Sequence, residues 1–289
     1  MADDSQVSPV TREVLRAGAL LLLPAITACA CGAGVPSAPP ARSPSHAPPA
    51  SASPLRPPPA SAAACQETFV PAFFYADSVW AQAIAARPAP RVMFLNVDSG
   101  PGTAPQPHFQ ALVRQAQAAG ITVLGYSSTA YGRRPIGSLE TQVRDYRAWY
   151  GVNGMFLDLV QGTAGDLPYY RELTSYIRAT VPKAVIWLNP GDFPDRGYMS
   201  VGNVVMVFEG PYSSYRTTRV PGWVSRYQPG QFAHVVYATP RSELASAVRL
   251  SRARRAGHLF VTDLPGSPNP YGGLPGYWPA ESAAIAGTC

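Results

Sequence analysis

The 289-residue chain lacks the motifs of several common classes of enzyme. Its four cysteines and four histidines show neither Cys-x-x-Cys nor His-x-x-x-His spacing, which argues against a bound metal. It also has no P-loop, no Gly-x-Ser-x-Gly elbow and no Gly-x-Gly-x-x-Gly segment after its first strand-like run. These absences argue against nucleotide hydrolysis, serine hydrolysis and dinucleotide binding.

Charged residues are also scarce, at 14% of the chain, and Lys183 is the only lysine. Arginine therefore supplies nearly all of the basic charge, and the formal net charge of +6 is spread thinly. The densest group, residues 249–255, has a helical pattern that is typical of a solvated helix face. Because no run of basic residues forms a binding stripe, we expect no nucleic-acid partner.

A short apolar run occupies residues 17–30 (AGALLLLPAITACA) near the amino terminus. It is too short to span a bilayer and fits the apolar region of a secretory signal peptide. Its end resembles a bacterial lipoprotein cleavage box with Cys29 as the lipidated residue, and ordinary cleavage among small residues is the alternative. We therefore predict a signal over residues 1–31 and an exported protein, either extracellular or a cell-surface lipoprotein whose only membrane contact is the lipid anchor.

Proline, alanine and serine dominate residues 32–64, which we predict to be a disordered spacer. The folded domain then spans residues 65–289. In that domain strand-like apolar runs cover residues 69–75, 91–97, 122–128, 154–160, 184–190, 203–210, 232–239 and 258–265. Helix-like runs cover residues 78–86, 105–119, 139–150, 168–180, 217–227, 243–256 and 279–286, and the connection after residue 190 looks short and irregular.

Continuous apolar strands are typical of parallel strands that are buried on both faces. Eight such strands, alternating with helices, predict a single (β/α)8 TIM-type barrel, with a doubly wound open sheet as the alternative. Barrel closure would make Cys65 and Cys289, at the two ends of the domain, neighbours. We expect a disulfide between them in an oxidising compartment, and two free thiols are the alternative.

In a barrel of this kind the active site forms at the carboxyl ends of the strands. The polar residues at those ends are Tyr75, Asn96, Asp98, Tyr126, Asp158, Asn189, Glu209, Tyr237 and Asp263. Amides and carboxylates can bond sugar hydroxyls, and aromatic rings offer stacking faces. The set therefore predicts a carbohydrate site.

Two of these residues, Asp158 and Glu209, end almost wholly apolar strands, where a charge costs free energy unless it has partners or a function. Glycoside hydrolysis needs two such carboxyl groups, one as a carboxylate and one as an acid. We interpret Asp158 as the nucleophile. We interpret Glu209 as the acid/base, because we expect apolar surroundings to raise its pKa. Arginine-paired carboxylates at the barrel rim are the alternative.

Several segments spread along the domain resemble the spherulation-specific family 4 (spherulin-4) group. They are residues 96–102 (NVDSGPG), 120–126 (GITVLGY), 131–134 (YGRR), 149–154 (WYGVNG), 156–158 (FLD), 189–191 (NPG), 208–209 (FE), 262–263 (TD) and 269–271 (NPY). This group is similar to microbial hydrolases that cleave α-1,4-linked galactosamine or N-acetylgalactosamine in exopolysaccharides, including fungal galactosaminogalactan hydrolases and the bacterial Pel-system hydrolase domain. The resemblance implies a barrel with a strand-4 Asp nucleophile and a strand-6 Glu acid/base, here Asp158 and Glu209, without metal or organic cofactor. It also adds Asn269 and Tyr271 to the expected substrate-binding residues.

The chain departs from the family at one position, because Asp158 is followed by Leu159 where the family usually has Glu. Adjacent strand residues point to opposite faces, so we expect Leu159 to pack against the helices. Altered substrate preference and loss of activity are the alternatives. We expect a monomeric, retaining glycosidase, and a non-catalytic carbohydrate-binding barrel or a structural cell-envelope or spore protein remain competing hypotheses.

Overall fold

The computed structural model describes residues 65–287. The predicted signal with Cys29, the predicted spacer and Cys289 lie outside the described residues. The proposed segment boundaries, the lipidation site and the Cys65–Cys289 disulfide therefore stay predictions.

Eight parallel strands close into a barrel, each paired with the next along the chain and β8 paired with β1. They are β1 (Glu67–Ala72), β2 (Val92–Leu95), β3 (Thr122–Ser128), β4 (Gly154–Asp158), β5 (Val185–Leu188), β6 (Val204–Pro211), β7 (Phe232–Tyr237) and β8 (His258–Val261). The prediction of a (β/α)8 barrel is confirmed, and the open sheet is excluded by the β1–β8 pairing.

Helices cover the outer face of the barrel. They are α1 (Asp77–Ala85), α2 (Pro107–Ala118), α3 (Ile136–Asp145), α4 (Leu167–Thr180), α5 (Tyr212–Tyr215), α6 (Leu244–Ala253) and α7 (Trp278–Ala286). Helix α2 illustrates why they form: it begins with Pro107 and buries Phe109, Leu112, Val113 and Ala116, which share one helical face.

Aromatic rings fill the barrel interior. Phe94 stacks on Phe156 with ring centroids 4.0 Å apart, and Trp187 packs its edge against Phe69 and Phe94. All four side chains are almost fully buried. The barrel interior is therefore a packed core.

The seam between β8 and β1 is short, since only Glu67 and Thr68 pair with β8. The buried Glu281 of α7 extends the closure, because its carboxyl oxygen accepts a hydrogen bond of 2.6 Å from the backbone N–H of Val261. Burial raises the pKa of Glu281 well above its usual range. Gln66, just before β1, donates to the backbone oxygen of Ala256 at 2.8 Å.

The connections after β5 and β6 lack full helices. The predicted irregular connection after residue 190 is confirmed and holds a short 3-10 helix, Arg196–Ser200. The helix predicted over residues 217–227 is wrong, because this segment holds only a 3-10 helix, Gly222–Arg226. Pro221 directly before it has no N–H to donate, and glycine disfavours a helix interior.

Several strands end earlier than expected, and β1 ends at Ala72 so that Tyr75 lies on the following loop.

None of the helices within residues 65–287 has both the length and the apolar character needed to cross a membrane.

Candidate active site at the barrel mouth

A cavity of about 240 Å3 opens at the carboxyl ends of the strands. It brings together eight of the residues expected there: Tyr75, Asn96, Asp158, Asn189, Glu209, Tyr237, Asn269 and Tyr271. Within residues 65–287 no group of three or more His, Cys, Asp or Glu side chains is arranged to hold a metal ion. The polar side chains that line the cavity carry carboxylates, amides and phenols.

Asp158 is the last residue of β4 and is only 8% exposed. Its carboxylate accepts hydrogen bonds from Tyr126 Oη at 3.0 Å and from Asn189 Nδ2 at 2.8 Å. Burial, followed by the nearby charge of Glu209, raises the pKa of Asp158 to about 6, although the hydrogen bonds act in the opposite direction. A buried carboxyl group with this pKa can change its charge near neutral pH.

Glu209 lies near the end of β6, just after an irregularity in the β6–β7 register between Met206 and Phe208. Its carboxylate accepts a hydrogen bond of 2.6 Å from Asn189 Nδ2 and another from Tyr271 Oη. Apolar side chains also lie near this carboxylate, among them Phe73 and Met206.

One amide nitrogen joins the two carboxylates. Because Asn189 Nδ2 lies 2.8 Å from Asp158 Oδ1 and 2.6 Å from Glu209 Oε2, these two oxygens are separated by at most the sum, about 5.4 Å. Among the described residues neither carboxylate forms an ion pair with arginine, which excludes the arginine-paired alternative. The pair is thus close, partly desolvated and without a neutralising cation.

Three of the residues expected to bind substrate do not line the cavity. Asp98 is exposed near Tyr75, and its charge, together with burial as the larger cause, raises the pKa of the Tyr75 phenol. Asp263 is also exposed and accepts a hydrogen bond of 3.0 Å from the backbone N–H of Gly276. Tyr126 is buried beneath Asp158. Their proposed contacts with substrate stay predictions.

Leu159 lines the cavity, so the expectation that it packs against the helices was wrong. Alternation between faces holds only for extended backbone, and Leu159 has left β4 with a φ of +49°. Two hydrogen bonds from the loop after β3 hold this left-handed turn. Thr129 N donates to Asp158 O at 2.9 Å, and Tyr131 N donates to Leu159 O at 2.7 Å.

Sequence reasoning about strand ends also missed other lining residues: Phe73, Tyr131, Pro190, Gly191, Gly266, Pro268 and Pro270. Most lie on loops, where side-chain direction follows from turn geometry and not from strand alternation. The signal that could have found them is the short distance along the chain from an expected strand-end residue.

The loop between β8 and α7, residues 262–277, forms one wall of the cavity. It carries a cis peptide bond before Pro268 and then presents Asn269 and Tyr271. Asn269 Oδ1 accepts a hydrogen bond of 2.9 Å from the backbone N–H of Tyr271, which helps to fix this turn. Burial, and then the charge of Glu209, raises the pKa of Tyr271 well above its usual range, so its phenol remains a hydrogen-bond donor.

Comparisons with known proteins match most of the residues that form this barrel. The model of the family named spherulation-specific family 4 matches residues 67–285. Spherulin-4 of Physarum polycephalum is 26% identical over 230 residues, which cover 75% of this chain and 69% of that protein. The crystal structure of Aspergillus clavatus Sph3 in complex with GalNAc is similar with a TM-score of 0.67 and 25% identity, over 77% of this chain and 98% of that one.

Proposed function

The chain belongs to spherulation-specific family 4, and we propose that it is a glycoside hydrolase that cleaves an exopolysaccharide containing α-1,4-linked galactosamine or N-acetylgalactosamine. The observation that carries the proposal is the pair of carboxyl groups of Asp158 and Glu209, which share one cavity without a neutralising cation. Acid and nucleophile functions require two such groups on one substrate.

In the proposed mechanism Asp158 attacks the anomeric carbon while Glu209 donates a proton to the departing glycosidic oxygen. Glu209 then removes a proton from water, and this water releases the sugar from the Asp158 ester. The upper bound of about 5.4 Å between the nearest carboxylate oxygens supports a retaining mechanism, since retaining enzymes place their carboxyl groups ~5–5.5 Å apart and inverting enzymes ~6.5–9.5 Å apart.

The ionisation of Asp158 sets the pH range in which this mechanism can operate. Asp158 must be ionised to act as a nucleophile, and with its pKa raised to about 6 the ionised form dominates only above that pH. We therefore expect activity to rise as the pH increases through about 6.

The remaining cavity lining supports an uncharged or cationic sugar as substrate. Tyr75, Tyr131 and Tyr237 offer aromatic faces, and Asn96 and Asn269 offer amides to hydroxyl groups. Arginine, lysine and histidine are absent from the lining among the described residues, so an acidic sugar would meet carboxylates without compensation. The GalNAc bound to the Sph3 relative is an uncharged amino-sugar derivative, in line with this class.

We further propose that the protein is exported and works as a monomer on extracellular polymer, in free or lipid-anchored form. The support is the signal-like run of residues 17–30 with Cys29, followed by the spacer-like composition of residues 32–64. A spacer of this composition would hold the barrel away from a membrane to which Cys29 is attached.

A second candidate function is carbohydrate binding without hydrolysis. It is favoured by Leu159, which lines the cavity at a position where the family usually has Glu. This reading predicts saturable binding of the polysaccharide without the appearance of new reducing ends.

The deciding experiment incubates the purified protein with partially deacetylated galactosaminogalactan and measures reducing-end release, with Asp158→Asn and Glu209→Gln as controls. We expect release by the wild-type protein alone, and NMR of the first product should show the α-anomer before mutarotation. Binding without release by the folded wild-type protein would establish the second candidate instead.

A further inference from the structure

The side chain of Asn189 is anchored before any ligand arrives. Asn189 follows β5, is 6% exposed, and continues the β4–β5 ladder because its N–H donates to Leu157 O at 2.8 Å and its backbone oxygen accepts from Val160 N at 2.9 Å. The backbone N–H of Gly191 donates to Asn189 Oδ1 at 2.9 Å. Since only the amide oxygen can accept this hydrogen, Nδ2 must face the two carboxylates.

The amide of Asn189 gives one hydrogen to Asp158 Oδ1 and the other to Glu209 Oε2. A primary amide nitrogen carries two hydrogens, so none is left for a sugar hydroxyl. We propose that Asn189 is a positioning residue that holds the carboxylates of Asp158 and Glu209 at a fixed spacing, instead of binding the substrate. The inference rests on the proposed hydrolytic function and names how its spacing is maintained.

The bridge also has an electrostatic effect. Two carboxylates this close repel each other, and a neutral donor shared between them offsets part of the repulsion without adding a charge. The other donors each serve one carboxylate, Tyr126 on Asp158 and Tyr271 on Glu209. Within residues 65–287 Asn189 alone donates to both. Its hydrogen bond lowers the pKa of Asp158 against the effect of burial.

Asn96 provides a matched control. It follows β2, lines the same cavity, is 7% exposed, and its Oδ1 accepts a hydrogen bond of 3.0 Å from the backbone N–H of Gly100. No hydrogen bond among the described residues joins its side chain to Asp158 or Glu209. Asn96 and Asn189 therefore share residue type, burial and anchoring, and differ in the bridge.

The test compares Asn189→Ala with Asn96→Ala in kinetics over the pH range. For Asn189→Ala we expect kcat to fall roughly 100-fold and KM to change less than about threefold. The acidic limb of kcat/KM should move upward by about 1 pH unit, because the pKa of Asp158 rises when a donor is lost. For Asn96→Ala we expect KM to rise and the acidic limb to stay at its wild-type position.

A second readout needs no turnover. We expect Asn189→Ala to lower the Tm more at pH 8, where Asp158 is largely ionised, than at pH 5, where Asp158 is largely protonated. If the alanine variant does not fold, Asn189→Ser provides the same comparison, because a hydroxyl has one hydrogen and cannot bridge.

A raised KM with an unmoved acidic limb would show that Asn189 binds sugar and would overturn the proposal. An equal loss of Tm at both pH values would overturn it as well. Failure of the proposed hydrolysis is distinguishable, since it appears as no reducing-end release by the wild-type protein while the pH-dependent Tm difference persists.

Discussion

The two ends of the barrel differ in how many non-glycine residues adopt a left-handed backbone conformation. Seven non-glycine residues within the described chain have a positive φ, and five of them lie beyond the carboxyl ends of strands: Ser99, Ala130, Tyr131, Leu159 and Ala238. The other two, Lys183 and Arg255, lie at the amino end of the barrel, before β5 and β8, and Gly120 and Gly151 make left-handed turns at the same end, before β3 and β4. A left-handed residue other than glycine costs about 1–2 kcal/mol.

This difference between the ends is explained by the side chains that the mouth requires. Glycine makes such a turn without strain but cannot carry a functional group. At the mouth the strained turns aim Tyr131 and Leu159 into the cavity, whereas the open turns at Gly120 and Gly151 at the amino end have no protein atoms within 4 Å of an added Cβ. Strain is thus concentrated at the end that holds the candidate site, as expected for functional regions.

The largest expected effect is the difference in activity between removing a carboxylate at the mouth and removing one at the amino end. Glu209→Gln should reduce reducing-end release roughly 10³-fold, because an amide cannot deliver a proton. Glu67→Gln removes a carboxylate that faces Arg91 and His258 at the amino end and should leave the rate close to wild type. Equal losses in both variants, measured on protein with matched circular dichroism, would contradict the assignment of function to the mouth.

A smaller expected effect concerns the free energy of unfolding, which depends on pH because the pKa of Asp158 is raised in the folded protein. The pKa of Asp158 is raised in the folded chain from 3.8 to about 6, so the wild-type protein loses stability as the pH rises through this range. Asp158→Asn removes that loss and should increase the free energy of unfolding by about 1–3 kcal/mol at pH 8. The gain should disappear below about pH 4, where both states of the wild-type protein are protonated. Urea titrations at the two pH values measure it, and an equal difference at both would refute the coupling to charge.

Leu159 gives a smaller expected effect on substrate preference. Leu159→Glu places a third carboxylate in the cavity and should raise the kcat/KM ratio of deacetylated over acetylated polymer about tenfold, since the free amine is cationic. Leu159→Gln is the uncharged control and should leave the ratio near wild type. A shift that persists unchanged in high salt would argue against an electrostatic cause.

The smallest expected effect concerns the stability of the left-handed turns, which two opposite substitutions test: glycine to alanine at one end and alanine to glycine at the other. Gly151→Ala, at a φ of +64° with open space around the new Cβ, should destabilise the fold by about 1 kcal/mol. Ala130→Gly, at a φ of +47° at the mouth, should stabilise it by about 0.5–1 kcal/mol. Denaturation midpoints with unchanged slopes measure both. Changes of the same sign would contradict the comparison between the two ends.

The sequence carried much of this architecture, because buried parallel strands produce continuous apolar runs and end in polar residues. Asp158 and Glu209 were predictable on that basis. The direction of Leu159 was not, because the rule of alternation assumes that the backbone stays extended. The hydrogen bonds of Tyr271 and Asn189 to Glu209 join strands and loops distant in sequence, and no local pattern encodes such contacts.

The seam between β8 and β1 has a consequence for the order of events during biosynthesis. The side chain of Gln66 donates to the backbone oxygen of Ala256 across 190 positions, and the backbone N–H of Val261 donates to the carboxyl group of Glu281 in α7. The first strand therefore keeps an unpaired edge until nearly the whole domain has been synthesised, and closure is a late, long-range step. A chain halted before β8 would be an open sheet exposed to proteases and to aggregation, so closure of this barrel waits until its last strand has been synthesised.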